Sequence, residues 1–245
     1  MPRKKLKRIA EISSFDNVFE DAPDWKGNWS QTCFGNNRPI TLELACGKGE
    51  YTLGLAQRFP DRNFIGVDRK GDRIWKGARI ALEQNLKNVI FLRTDVEQII
   101  DLFGEKEISE IWITFPDPYP RHVKASKRLT SPRLLNIYRN VLEPNGAIHL
   151  KTDDEDLFDY TLRVLETEGC IVNRVTHDLY KQPISDELLS LKTTYEKRHL
   201  EAGKTIRYLC FGFERHQPDM PKYGNASSGN SVVDDVGIGL VRGPE

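Results

Sequence analysis

Four carboxylates fall where strands should end. Glu43 lies inside the apolar run Ile40 to Ala45, Asp68 closes Asn63 to Val67, Asp95 follows Val89 to Leu92, and Asp117 follows Ile108 to Phe115. Beside the first lies the turn Gly47-Lys48-Gly49, where the lack of a Cβ lets a ligand approach the backbone. Asp68 comes 19 residues after Gly49, the spacing at which a carboxylate reaches ribose hydroxyls. Two cofactor classes satisfy that spacing. A dinucleotide requires G-x-G-x-x-G, with its pyrophosphate at the helix N-terminus. Here Thr52 stands at the third glycine position, and several acids near the turn would repel pyrophosphate. A cationic sulfonium with an amino group suits an acidic rim better, so charge favours the sulfonium.

The stretch around Asp117 carries a second signal. Trp112 to Phe115 are aromatic and β-branched, as a strand requires. The run stops at Pro116-Asp117-Pro118-Tyr119-Pro120, where three prolines fix φ and withhold three backbone donors. Asp117 is therefore expected on a stiff turn at a strand end, where open α/β sheets place ligands. A basic ribbon follows: Arg121, Lys124, Lys127, Arg128, Arg133 and Arg139, with no Asp or Glu between Pro118 and Leu142. A carboxylate beside a cationic ribbon suits chemistry next to phosphates. A rigid loop with a solvated charged face is the alternative that this stretch alone leaves open.

These residues need a scaffold, and the periodicity supplies one. Helical patterns over 50–59, 71–85, 96–103, the stretch from Ser131, 153–168 and 186–199 alternate with strands at 40–45, 63–67, 89–92, 108–115, 147–151 and 170–175. Pro132 sits at a first helical position after Ser131, and Pro144-Asn145-Gly146 is expected to turn the chain into the fifth strand. A last strand, 206–213, follows closely enough to insert antiparallel. The expected fold class is α/β: a doubly wound, mostly parallel seven-stranded sheet with helices on both faces. The domain spans 38–215. Residues 1–37 lack a clear period and read as a basic and aromatic packing arm, with RNA contact by its basic start as the alternative. Residues 216–245, rich in Gly, Ser, Asn and Asp, read as a disordered tail with a weak strand signal at Ser231 to Val233.

Composition sets outer bounds. Net charge is +0 over 245 residues, so affinity for nucleic acid must come from local patches. The four cysteines, Cys33, Cys46, Cys170 and Cys210, form no C-x-x-C pair. That argues against zinc and disulfides and fits a reducing, cytoplasmic setting. The five histidines show no metal spacing, so no metal is expected. No apolar run reaches membrane-spanning length, and no secretory signal is visible.

Seven motifs occur together in order: Glu43-Leu-Ala-Cys-Gly-Lys-Gly49, Gly66-Val-Asp68, Arg93-Thr-Asp95, Phe115-Pro-Asp-Pro-Tyr-Pro120, the Lys124 to Arg128 ribbon, Lys151-Thr-Asp153 and Thr193-Thr-Tyr-Glu196. Over roughly residues 38–213 the chain resembles the bacterial tRNA (guanine-N7-)-methyltransferase family, which is similar in fold to the class I, Rossmann-like methyltransferases. The resemblance implies methyl transfer from S-adenosyl-L-methionine to a guanosine in the tRNA variable loop, with tRNA as partner and no obligate protein partner. It implies cofactor contacts at Glu43, Gly47, Gly49, Asp68, Asp95 and Asp117, and a catalytic role for Asp117. It implies substrate contacts at Arg121, Asp153, Thr193, Thr194, Tyr195 and Glu196. Lys124, Lys127 and Arg128 are expected to hold RNA phosphates. Asp153 is expected to read guanine, to cap the helix after Thr152, or both. Three positions depart from the family pattern. Ala45 stands where the first glycine is usual. Tyr119 replaces the usual Trp, leaving open whether it stacks on the base or packs over the prolines. The ribbon is thin, so tRNA affinity is expected to lean on Arg3 to Arg8 as well. Two other readings are a non-catalytic RNA-binding protein on this fold and a dinucleotide oxidoreductase. The first has no use for an acidic rim; the second lacks its third glycine.

Overall fold

The computed structural model describes residues 2–20 and 23–213. The expected tail, 216–245, lies outside the described residues. In chain order the elements are α1 (Pro2–Ile12), β1 (Val18–Phe19), α2 (Trp29–Thr32), β2 (Ile40–Leu44), α3 (Glu50–Arg58), β3 (Asn63–Val67), α4 (Gly71–Glu83), β4 (Val89–Leu92), α5 (Ile99–Leu102), β5 (Ile108–Thr114), α6 (Pro132–Val141), β6 (Leu142–Thr152), α7 (Glu155–Thr167), β7 (Ile171–Thr176), α8 (Glu187–Ser190), α9 (Thr194–Glu201) and β8 (Arg207–Gly212). The strands form one sheet in the order β1-β4-β3-β2-β5-β6-β8-β7. β8 is antiparallel to both neighbours, and the other pairings are parallel.

The order reverses between β2 and β5, which creates the switch-point crevice of an open α/β sheet. Register brings the strand ends to one edge. Leu44 pairs with Val67 and Ile113, Val67 pairs with Leu92, and Thr114 pairs with Lys151. Asp68, Asp95, Asp117 and Asp153 follow these ends in sequence. Both faces are covered. Leu42, Leu44, Ile65, Val67, Ile111 and Ile113 pack in one core; Phe64, Phe91 and Trp112 pack in the other with residues of α3 and α4. That two-sided burial explains the continuous apolar strand runs.

Four expectations need correction. The sheet has eight strands, because Val18 and Phe19 pair with Phe91 and Leu92 at its edge. The arm is not without period: α1 packs along α4. Its contacts were hard to see because basic side chains make them. Arg8 lies 4.6 Å over the Trp75 ring, and Lys5 lies 3.9 Å from Asp72. Pro144-Asn145-Gly146, expected as a turn before a strand at 147–151, sits inside β6 as an irregularity, where the pairing jumps from Ile108–Leu142 to Glu110–Ala147. The helix expected over 186–199 is two helices, each with its own cap. Asp186 accepts from Leu188 N at 2.9 Å, and Thr193 accepts from Glu196 N at 3.1 Å. Leu191, between them, is buried over Gly54.

Candidate active site

The glycine turn stands on a buried support. Glu43 Oε2 accepts from Thr52 N at 2.9 Å and closely from the Thr52 hydroxyl; its other oxygen accepts from Thr114 Oγ1 at 2.7 Å. One carboxylate thus ties α3 to β2 and β5. Burial outweighs these hydrogen bonds and raises its pKa to about 7. The folded state therefore holds this proton more tightly than the unfolded chain, whose ordinary value is 4.5. Glu43's pH-linked stabilisation is complete below that value and is lost as pH rises through about 7. Chemical denaturation across this window should show stability falling by up to ~1.4 kcal/mol per pH unit. Glu43→Gln, which resembles the protonated group, should flatten that dependence; an unchanged slope would refute the assignment.

Above Glu43 the turn itself is cramped on one side and open on the other. Gly49, at φ +67°, caps α3, and a Cβ there would collide with the Phe91 ring. Its glycine is required by packing as well as by φ. A Cβ on Gly47, at φ +59°, would meet nothing within 4 Å, so the turn faces open space at that point. Asp68 accepts from Gly47 N at 3.0 Å and from Lys70 N at 2.8 Å, one bond to each oxygen. Its carboxylate is fixed in place yet keeps acceptor capacity.

A cavity of about 340 Å³ opens at this edge, lined in part by Ala45, Asp68, Asp95, Asp117, Tyr119 and Lys127. Three of the four strand-end acids thus share a cavity, whereas Glu43 lies among the buried groups rather than on its wall. The expected acidic rim is corrected in one respect. Arg69, Lys70, Arg73, Lys127 and Arg133 also line the cavity. Arg133 makes a two-point pair with Glu97 at 2.5 and 2.7 Å, and Arg69 lies 3.9 Å from Asp95. The wall is mixed in charge, so net negative charge no longer separates a sulfonium from a dinucleotide; the missing third glycine still does.

Asp117 is exposed on a loop bounded by two residues in the left-handed region, Phe115 at φ +50° and Tyr119 at φ +44°. For bulky residues that conformation is strained, so something must hold it. Arg128 does. Its guanidinium donates to Pro118 O at 3.0 Å and Tyr119 O at 3.2 Å and stacks 4.1 Å over the Tyr160 ring of α7. Arg128 is buried, which corrects its expected place on the phosphate-binding face. Arg121, Lys124 and Lys127 are exposed, whereas Arg139 stacks on Phe213. Tyr119 turns to the cavity.

Asp153, beyond the end of β6, does not cap α7. Asp154 does, accepting from Leu157 N at 2.7 Å. Asp153 instead lies 2.8 Å from His199 Nδ1 and 2.7 Å from Lys204 Nζ. Burial works against its charge, but Lys204 and His199 keep its pKa below the usual carboxylate range. Tyr195, half exposed, stacks on His199 at 4.0 Å and packs 5.2 Å from Phe115. Burial raises the Tyr195 pKa, and Asp153 and Asp117 add to it. The loop of Asp117 and the segment of Tyr195 and Asp153 are thereby neighbours. His199 and Lys204 were not identifiable from sequence, because no spacing links them to Asp153.

Within the expected substrate run, Glu196 is corrected most. It is fully buried, 2.6 Å from Lys151 Nζ, and accepts from Tyr180 OH at 2.6 Å. It is an internal anchor rather than a surface contact. Thr193 caps α9, and Thr194 and Tyr195 are exposed.

Comparison with known proteins places this geometry. A family model described as "Putative methyltransferase" matches residues 37–209. The tRNA (guanine-N(7)-)-methyltransferase of Bacteroides thetaiotaomicron is 47% identical over 219 residues, 86% of this chain and 86% of its own. The chain belongs to the tRNA (guanine-N(7)-)-methyltransferase family. A member from Brevibacillus brevis is 37% identical over 197 residues, covering 80% of this chain and 91% of its own. Among solved structures, an antibiotic-related methyltransferase superimposes with TM-score 0.60 at 15% identity, over 81% of this chain and 98% of its own. The 16S rRNA methyltransferase KamB does so with TM-score 0.59 at 14% identity, over 76% and 92%. At such identities these two show the shared methyltransferase fold. Among the described residues, no helix is long and apolar enough to cross a membrane, and no group of three or more His, Cys, Asp or Glu could hold a metal.

Proposed function

We propose that this family member transfers a methyl group from S-adenosyl-L-methionine to N7 of a guanosine in the tRNA variable loop. The observation that carries the reading is the convergence of Asp68, Asp95 and Asp117 on one cavity, with Asp153 and Tyr195 beside the Asp117 loop. The residues fit the cofactor. Asp68 keeps acceptor capacity for ribose hydroxyls, and the turn at Gly47 opens onto free space. Bound there, S-adenosyl-L-methionine supplies an electrophilic methyl group on a positively charged sulfur. Asp95 stands at the cavity's rim, exposed and able to accept from a nucleobase amine.

Guanine N7 has a lone pair and no proton, so the chain need not supply a general base. It must align the two reactants and stabilise positive charge as that charge develops on the guanine ring. Asp117, an exposed carboxylate on a clamped loop, supplies that stabilisation. Asp153 accepts from guanine N1–H and N2–H, and Tyr195 contributes to the base-binding face. Arg121, Lys124 and Lys127 contact phosphates. The test is incubation with labelled cofactor and unmodified tRNA, followed by borohydride and aniline cleavage. Cleavage at one guanosine of the variable loop supports the reading; no incorporation, or cleavage elsewhere, refutes it.

The two kinds of basic residue should separate cleanly. Lys124→Ala and Lys127→Ala should each weaken tRNA binding and reduce the slope of log K against log salt by about one. Arg128→Ala should leave that slope unchanged and destabilise the protein by about 2–3 kcal/mol, through the loss of two charged hydrogen bonds to the proline loop. Salt titrations and thermal melts check both. An equal salt effect from Arg128 would restore it to the phosphate face.

A further inference from the structure

Three consecutive residues at the start of α9 touch three different parts of the catalytic edge. Thr194 N donates to Glu50 Oε2 at 2.5 Å. The Tyr195 ring packs on Phe115, at the end of β5. Glu196 pairs with Lys151 of β6. The last two contacts are a tilted ring pair and a buried ion pair, both on the substrate side of the switch point. The first crosses to the cofactor side, because Glu50 is the residue immediately after Gly49 and opens α3. Glu50 and Thr194 are 144 residues apart in sequence, so no local pattern could relate them.

We propose that Glu50 is a positioning residue that ties the cofactor-binding turn to the base-reading segment Thr193 to Tyr195. The inference rests on the methyl-transfer reading above and adds to it how the two half-sites are held in register. A methyl donor and a ring nitrogen react only when aligned. Phe115 and Lys151 fix α9 against the strands that carry Asp117 and Asp153. They do not fix it against the glycine turn itself; Tyr51 OH, which donates to Leu188 O at 2.6 Å, and Leu191 over Gly54 tie α8 and its junction with α9 to α3 further along, and none of these holds Thr194 to the turn. Glu50 does so through one charge-assisted hydrogen bond. Although burial opposes its charge, hydrogen bonding from Thr194 and the nearby charges of Lys76 and Lys48 hold the Glu50 carboxyl below its ordinary pKa, so the acceptor is ionised at neutral pH.

Thr194 offers an unusual test. It is the first residue of α9, a position where proline is well tolerated and where it removes the donating N–H. Thr193 precedes it at φ −70° and ψ 162°, an extended conformation compatible with a following proline. Five proteins are compared: wild type, Glu50→Ala, Glu50→Gln, Thr194→Pro and the double variant of Glu50→Ala with Thr194→Pro. The readouts are kcat and KM for tRNA methylation, calorimetric affinity for S-adenosylhomocysteine, and Tm. Glu50→Ala is expected to lower kcat/KM for tRNA about tenfold, with S-adenosylhomocysteine affinity within twofold of wild type. Glu50→Gln, which keeps an acceptor oxygen, should recover most of the loss. The double variant should be no worse than the weaker single one, because both delete the same bond. The inference is overturned if Glu50→Ala stays within twofold of wild type, if Glu50→Gln fails to rescue, if the two losses multiply, or if S-adenosylhomocysteine affinity falls tenfold. Absence of methylation in the wild type would strike the proposed function instead and is read separately.

Discussion

Asp117→Asn should slow single-turnover methyl transfer about 10²–10³-fold at saturating cofactor and tRNA, with both ligands still bound. Asparagine keeps the size and one acceptor of aspartate but removes its charge. Asp117 is exposed, so the fold does not depend on that charge. The guanine ring becomes positive only as the methyl group arrives, and a fixed carboxylate then contributes more in the transition state than in the ground state. The clamp from Arg128 matters here, because a dipole or charge assists most when it is already oriented. Asp153→Asn provides the contrast. A guanine reader that acts in binding should chiefly raise KM for tRNA, with kcat changed little. Rapid-quench measurement of the methylation step decides the matter. A rate for Asp117→Asn within threefold of wild type would remove Asp117 from the chemistry.

Lys151→Met should be the most destabilising single change considered. Lys151 and Glu196 are both 0% exposed at the side chain and 2.6 Å apart. Lys151 also donates to Leu191 O at 3.2 Å. Removing one partner leaves an uncompensated buried charge, which costs about 3–5 kcal/mol. One Glu196 oxygen already lacks a hydrogen-bond partner among the described residues, so little remains to absorb the loss. For a chain of this length the melting temperature should fall by about 10 °C. The double variant Lys151→Met with Glu196→Leu should regain most of that, since replacing both charges by apolar groups is often near neutral. Recovery should be incomplete because Tyr180 OH then loses its acceptor. Calorimetric melts of the three proteins test this. A Lys151→Met melt within 2 °C of wild type would show that the pair does not anchor α9.

How far the residues alone led depended on the range of each interaction. Short-range signals were reliable. Ser131-Pro132 marked the start of α6, and the apolar runs at Asn63–Val67 and Val89–Leu92 matched their strands end to end. Assignments failed where a side chain's partner lay far away in sequence. Arg128 had the composition of a phosphate ligand but was drawn inward by two carbonyls of the proline loop and by Tyr160 on α7. Glu196 sat in a polar helix start and looked like a surface contact until Lys151 was placed beneath it. Asp153 was open to two roles, cap of α7 or guanine contact, and the helix's actual first turn takes its cap from Asp154 instead.

The amino-acid order determined the alternation of strands and helices, and with it the parallel sheet, the position of the acids after strand ends and the stiffness of the proline loop. These follow from hydrophobic period, proline geometry and glycine, all of which act within a few residues. Tertiary structure alone decided which charges face outward, which are consumed as internal anchors and which aromatic lies beside Asp117. Those outcomes depend on desolvation and on contacts closed across 40 to 144 residues, as in Lys151–Leu191 and Glu50–Thr194. Burial converts an ionised side chain from a ligand for phosphate into a partner for the protein itself.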